Sequence, residues 1–132
     1  MMKTCWSRLG SCVVAIAIAV GSAGVALAED WFFLAESDVD IKFFLDRASI
    51  TRKGAIAGVK TFEVYPKADE DGWMAVLVQR EYHCTDKKSR TQQVQALFED
   101  GSIRLYREPT DWTSIDAKTI DDLILQQVCR DR

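Results

Sequence analysis

The side chains most able to do chemistry in this sequence are few and widely spaced. Cys84 and Cys129 stand 45 residues apart, without the Cys-x-x-Cys spacing of a redox pair. His83, the single histidine, adjoins Cys84. Neighbours on a strand point to opposite faces, so one metal ion would not easily take both side chains. In an oxidising compartment the simplest use of the two cysteines is one disulfide, and closing a loop of this length would stabilise the fold by roughly 4 kcal/mol. A redox pair and a metal site are the alternatives.

Other constellations are weaker. Nucleophilic catalysis with a histidine base would have to use His83, and no nucleophile, base and oxyanion donor assemble around it from named residues. Asp69-Glu70-Asp71 lies in a polar segment that lacks the further ligands of a calcium loop, so it reads as a solvated turn. Lys87, Lys88 and Arg90 form a basic cluster beside Cys84, able to receive an acidic polysaccharide or an acidic partner. Asp46 follows an apolar run. Its carboxylate is expected to cap a turn through the amides of Ala48 or Ser49, or to pair with Arg52. No metal or other cofactor is implied, and the protein reads as a non-enzyme.

The first 28 residues differ from the rest. Lys3 and Arg8 precede an apolar run, Val13 to Val20, and small residues lead to Ala26-Leu27-Ala28. That pattern is a secretory signal peptide, with cleavage expected between Ala28 and Glu29. Gly21, Ser22 and Gly24 cut the run short of the ~20 apolar residues that a transmembrane helix needs, so no membrane span is expected after cleavage. Leu9-Gly10-Ser11-Cys12 imitates a lipid-attachment box but stands before the apolar run. The formal net charge of -3 therefore averages two parts, because removing Lys3 and Arg8 leaves 15 cations against 20 acids over residues 29–132. A domain near -5 argues against nucleic acid or an anionic membrane surface as partner. With 48% hydrophobic residues it has the means to fold as one domain of 104 residues.

These residues must be positioned by strands. Met74, Val76, Val78, Tyr82 and Cys84 alternate with Gln79, Glu81 and His83, which predicts one inward and one wetter sheet face. Ile41, Phe43 and Leu45 begin another strand, with turn residues at Asp46 to Ser49 and a reversal at Lys53-Gly54. Val59 to Tyr65 continues as strand, and Trp31 to Leu34 is a candidate further strand. Asp100-Gly101 predicts a two-residue hairpin turn in which Phe98 faces Ile103 and Ala96 faces Leu105. From Thr119 the period changes to that of a helix, with Ile120, Leu123, Ile124 and Val128 on one face and Asp122 completing a capping box with Thr119. Cys129 borders that face, so a bridge to Cys84 would staple the helix to the sheet. Trp31, Trp73 and Trp112, with Phe32, Phe33 and Phe44, are expected mainly in the core, with some left for a binding face or dimer edge.

The mature chain resembles the surface-adhesin protein E-like family of small Gram-negative envelope proteins. Trp31 comes early, followed by Phe43-Phe44-Leu45-Asp46, Ser49-Ile50 and Arg52-Lys53-Gly54; Cys84, Arg90, Trp112, Ile115, the helix start at Thr119 and Cys129 complete the pattern. Ala117-Lys118 replaces a frequent Pro-Gly, and a Trp near Lys60 and Thr61 is missing. The resemblance implies an α+β fold of about six antiparallel strands with a C-terminal helix packed on them and a Cys84 to Cys129 bridge. It also implies an exported protein, periplasmic or at the cell surface, that binds a protein or host-matrix partner through a sheet edge or its polar face. A periplasmic inhibitor or accessory factor of an envelope enzyme is the alternative.

Overall fold

The computed structural model describes residues 28–130, so all but the last residue of the expected leader lies outside the described residues. Six strands follow one another across a single antiparallel sheet in chain order: β1 (Trp31–Glu36), β2 (Lys42–Lys53), β3 (Ile56–Val64), β4 (Trp73–His83), β5 (Lys88–Phe98) and β6 (Ile103–Tyr106). A two-residue β7 (Thr113–Ser114) pairs with the start of β5, where β6 does not reach. One helix, α1 (Ile120–Val128), closes the chain and packs on the sheet. The fold is α+β, as the residues and the resemblance predicted.

Helix α1 begins where its cap permits. Thr119 has extended backbone, and its Oγ1 accepts a hydrogen bond from the Asp122 amide at 3.2 Å. Asp122 does not return the bond to Thr119 itself. Its carboxylate accepts from the Lys118 amide at 3.0 Å, one residue earlier. Ile124, Leu125 and Val128 are buried against Leu45, Ala57, Val59 and Tyr82. A nine-residue helix is too short to persist alone in water, so this contact and the covalent tie hold it. The tie is the Cys84–Cys129 disulfide, with a Cα separation of 5.6 Å. The same sheet face carries a second cluster, Val76, Val78 and Ala96, ringed by Trp73, Val94 and Phe98.

Two local expectations are corrected. Asp46 to Ser49 is not a turn between strands; β2 runs on through Lys53, and the extra residues form a bulge between Asp46 and Thr51. The β5–β6 hairpin closes through three residues, Glu99, Asp100 and Gly101, because the Gly101 amide bonds to Phe98 O and the Phe98 amide to Ser102 O. Gly101 takes the positive φ of 88° that this loop needs. Adding one residue to the loop shifts the register by one. Leu97 therefore faces Ile103, Gln95 faces Leu105, and Ala96 faces Arg104.

Candidate interaction surface

Strand pairing fixes what the helix does not cover. Trp31, Phe33, Phe44, Phe62, Val64, Ala75, Leu77, Leu97, Ile103 and Leu105 alternate with the helix-facing residues across β1 to β6. They form an apolar band on the open face. Trp31 packs beside Phe62 with ring centroids 5.9 Å apart, and Phe33 beside Phe44 at 5.5 Å in an edge-to-face pair. Trp31, Phe44, Phe62, Val64 and Leu77 line a groove of about 520 Å³. A smaller one of about 170 Å³ shares Phe62 and Leu77 and extends to Ile103. Phe33 and Ile103 remain 49% and 60% exposed, too much for a closed core. The open face is thus not simply the wetter one.

Its composition changes along the strands. Towards the β4–β5 turn the same face bears Lys60, Gln79, Glu81 and Gln92, which border a polar hollow with Ser49, Thr51 and Gly58. A Cβ at Gly58 would come within 2.8 Å of Thr51 Oγ1, so any larger residue would push that side chain aside. Glu81 is the hub of this end. Its Oε1 accepts from Arg90 at 2.8 Å and from Gln92 Nε2 at 2.6 Å.

The sequence-predicted residues fall into separate places. Asp46 is buried, and its Oδ1 accepts from the Ala48 amide at 3.0 Å and the Asp30 amide at 2.8 Å, pinning the start of β1 to the β2 bulge. Its nearest cation is Lys60 at 4.0 Å, not Arg52. Trp31 pairs opposite Asp46 on the open face and is 36% exposed, so it is not a core residue. Trp112 is half-buried at the β4–β5 end, where Arg90 stacks over its ring at 4.5 Å and His83 meets it edge-on. The basic cluster divides: Arg90 is bound to Glu81 and Trp112, whereas Lys87 and Lys88 lie exposed at the turn. Ala28 and Glu29 begin the described chain, and Glu29 lies 3.5 Å from Lys60 at the rim of the large groove. The aromatic groove is what sequence reasoning missed. Its signal was Phe33, Phe44 and Phe62, but their common face depends on strand register.

Beneath the sheet two polar links cross the core. Arg80 reaches Glu63 at 2.8 Å and Thr61 at 3.3 Å. Burial works against its charge, but the oxygens of Tyr82, Glu63 and Asp121 outweigh that and hold the guanidinium above its ordinary value. Burial likewise pushes the Tyr82 phenol far up, and its hydroxyl donates to Asp121 Oδ1 at 2.8 Å. His83 Nδ1 accepts from the Asp86 amide at 3.2 Å, a turn contact. Among the described residues no group of three or more His, Cys, Asp or Glu side chains is placed to hold a metal ion, and no helix is long and apolar enough to cross a membrane.

The architecture is that of a small disulfide-closed domain, one sheet with a helix on one face and an aromatic band on the other. The family model for surface-adhesin protein E matches residues 31–130, from the first residue of β1 to the residue after Cys129. The chain belongs to the surface-adhesin protein E family. Neither a curated protein nor a solved structure matches it significantly.

Proposed function

We propose that the protein is exported through a cleaved leader and works in the cell envelope or at the surface as a binding protein. Its partner is a protein, of the envelope or the host matrix, that lays apolar side chains on the open sheet face. The observation that carries this reading is the aromatic band around Trp31, Phe33, Phe44 and Phe62, left uncovered on the open sheet face of a domain in an adhesin family. Lys60 and Glu29 at its edge supply a polar rim of both signs, as protein interfaces commonly have. Binding rather than catalysis is supported by the engagement of His83 with the Asp86 amide and of Arg90 with Glu81, contacts that serve the turn and the sheet.

The test is saturable binding of the purified protein to extracellular-matrix proteins coated one at a time, compared with a Phe33→Asp/Ile103→Asp variant. Both positions are exposed, so the variant keeps the helix-side core. Loss of at least about tenfold in affinity is expected, the scale of removing hot-spot contacts. Equal binding by the two proteins would exclude the open face.

A further inference from the structure

The hairpin turns divide the charge of the domain between its two ends. In a meander, alternate turns lie at the same end of the sheet. The β1–β2, β3–β4 and β5–β6 ends carry Glu36, Asp38, Asp40, Asp69, Glu70, Asp71, Glu99 and Asp100, all exposed. At the opposite end, the β2–β3 turn carries Arg52 and Lys53, and the β4–β5 turn carries Lys87 and Lys88. Arg130 follows Cys129, which the disulfide holds to Cys84 at this same end. All five cations are exposed. The ion pairs among the described residues take Arg47, Lys60, Arg80, His83 and Arg90, and none of these five. The β4–β5 turn also carries Asp86, which faces His83, and Asp116 follows the residue that bonds Lys87 O.

The two turns are neighbours in space. Lys53 pairs with Ile56, Ile56 with His83, and His83 with Lys88, so one row across four strands ends in a lysine on each side. Three strand spacings separate them by about 14 Å, with Arg52 and Lys87 flanking. We propose that this basic end binds a linear anionic polysaccharide, a site separate from the open apolar face and independent of it. Spaced cations on a domain of net charge near -5 suit a polymer whose anions come once per sugar or two. They suit a nucleic-acid duplex poorly, with its charge every ~1.7 Å.

The test measures affinity of the protein for a heparin hexasaccharide and for a galacturonate oligomer of equal length, at low and at physiological salt. The variant Arg52→Gln/Lys53→Gln/Lys87→Gln/Lys88→Gln is expected to bind about tenfold or more weakly, with a shallower salt dependence. A control losing the same charge elsewhere, Lys42→Gln/Lys67→Gln/Arg104→Gln/Arg107→Gln, should change less than about twofold. The reversal Lys53→Glu/Lys88→Glu should abolish binding while leaving the circular dichroism unchanged. Preference for heparin assigns a sulfated polymer and preference for galacturonate a carboxylated one; either upholds the site. Equal losses in the two glutamine variants, tighter binding of duplex DNA of the same charge, or no binding of either saccharide at low salt would overturn it.

Discussion

The hydroxyl of Tyr82, in the middle of the sheet, donates a 2.8 Å hydrogen bond to Oδ1 of Asp121 in the first turn of the helix. The helix is thus held at both ends from β4 and the residue that follows it, by this bond at its start and by Cys84 at its finish. Tyr82 is fully buried, so its ring also fills the space beneath Ile124 and Val128. Tyr82→Phe keeps the ring and removes the bond. A loss of about 1.5–3 kcal/mol is expected, the range for hydrogen bonds to a charged group, read as a lower urea midpoint with unchanged slope.

Alkaline pH should act through the same residue. Burial, foremost, then the charge of Asp121, raises the Tyr82 phenol above its ordinary 10.0, and burial with Glu63 and Asp69 raises Tyr65. The unfolded chain ionises these phenols at the ordinary value. Their contribution to stability is therefore complete below pH 10 and is lost as pH climbs beyond it. Phenolate absorbance of Tyr82 is expected to appear together with loss of near-ultraviolet dichroism, whereas Tyr82→Phe should remove that late portion. Full ionisation of all tyrosines in a still-folded protein would contradict this.

The disulfide closes a 45-residue separation and anchors a helix too short to stand alone. Cys84→Ser/Cys129→Ser is expected to lower stability by about 4 kcal/mol. Hydrogen exchange should locate the loss, with amides of Ile120 to Val128 exchanging well before those of β3 and β4. A uniform loss across the sheet would mean that helix and sheet open as one unit.

Lys118 offers a gain. Its φ of 64° is left-handed, just before the Thr119 cap, a backbone conformation that glycine takes without the Cβ penalty. Lys118→Gly should relieve that conformation and raise stability by about 0.5–1 kcal/mol, net of the freedom glycine adds to the unfolded chain. The measurement is the thermal midpoint, with Lys118→Ala as the control that keeps the strain.

Much of this fold was legible in the residues. The Thr119 cap, the helical spacing after it, the reversal at Gly54 and the Cys84 to Cys129 pairing all rest on local spacing or on a pair of residue types, and all are present. What failed depended on register. The Asp100-Gly101 turn admits loops of two or three residues, and that single residue decides whether Ile103 and Leu105 turn inward or onto the open face. The aromatic band stayed hidden for a related reason. Ala75 and Leu77 alternate with Val76 and Val78, so β4 is apolar on both faces, and nothing local says which face the helix will cover. Asp46 bonds the Ala48 amide, as its place after an apolar run predicts, yet its bond to the Asp30 amide joins residues 16 apart and has no local signal.

The open face as a protein-binding surface is the central claim, and site-specific photocrosslinking in the producing cells and on matrix-coated surfaces tests it most directly. A photoreactive residue placed at Phe33 or Ile103 on the open face is compared with one at Leu123, which the helix leaves 40% exposed although its spacing predicts the buried face. The account predicts the same discrete protein adduct from Phe33 and Ile103 and none from Leu123. An adduct from Leu123 alone, or no protein adduct from either open-face position, would contradict it.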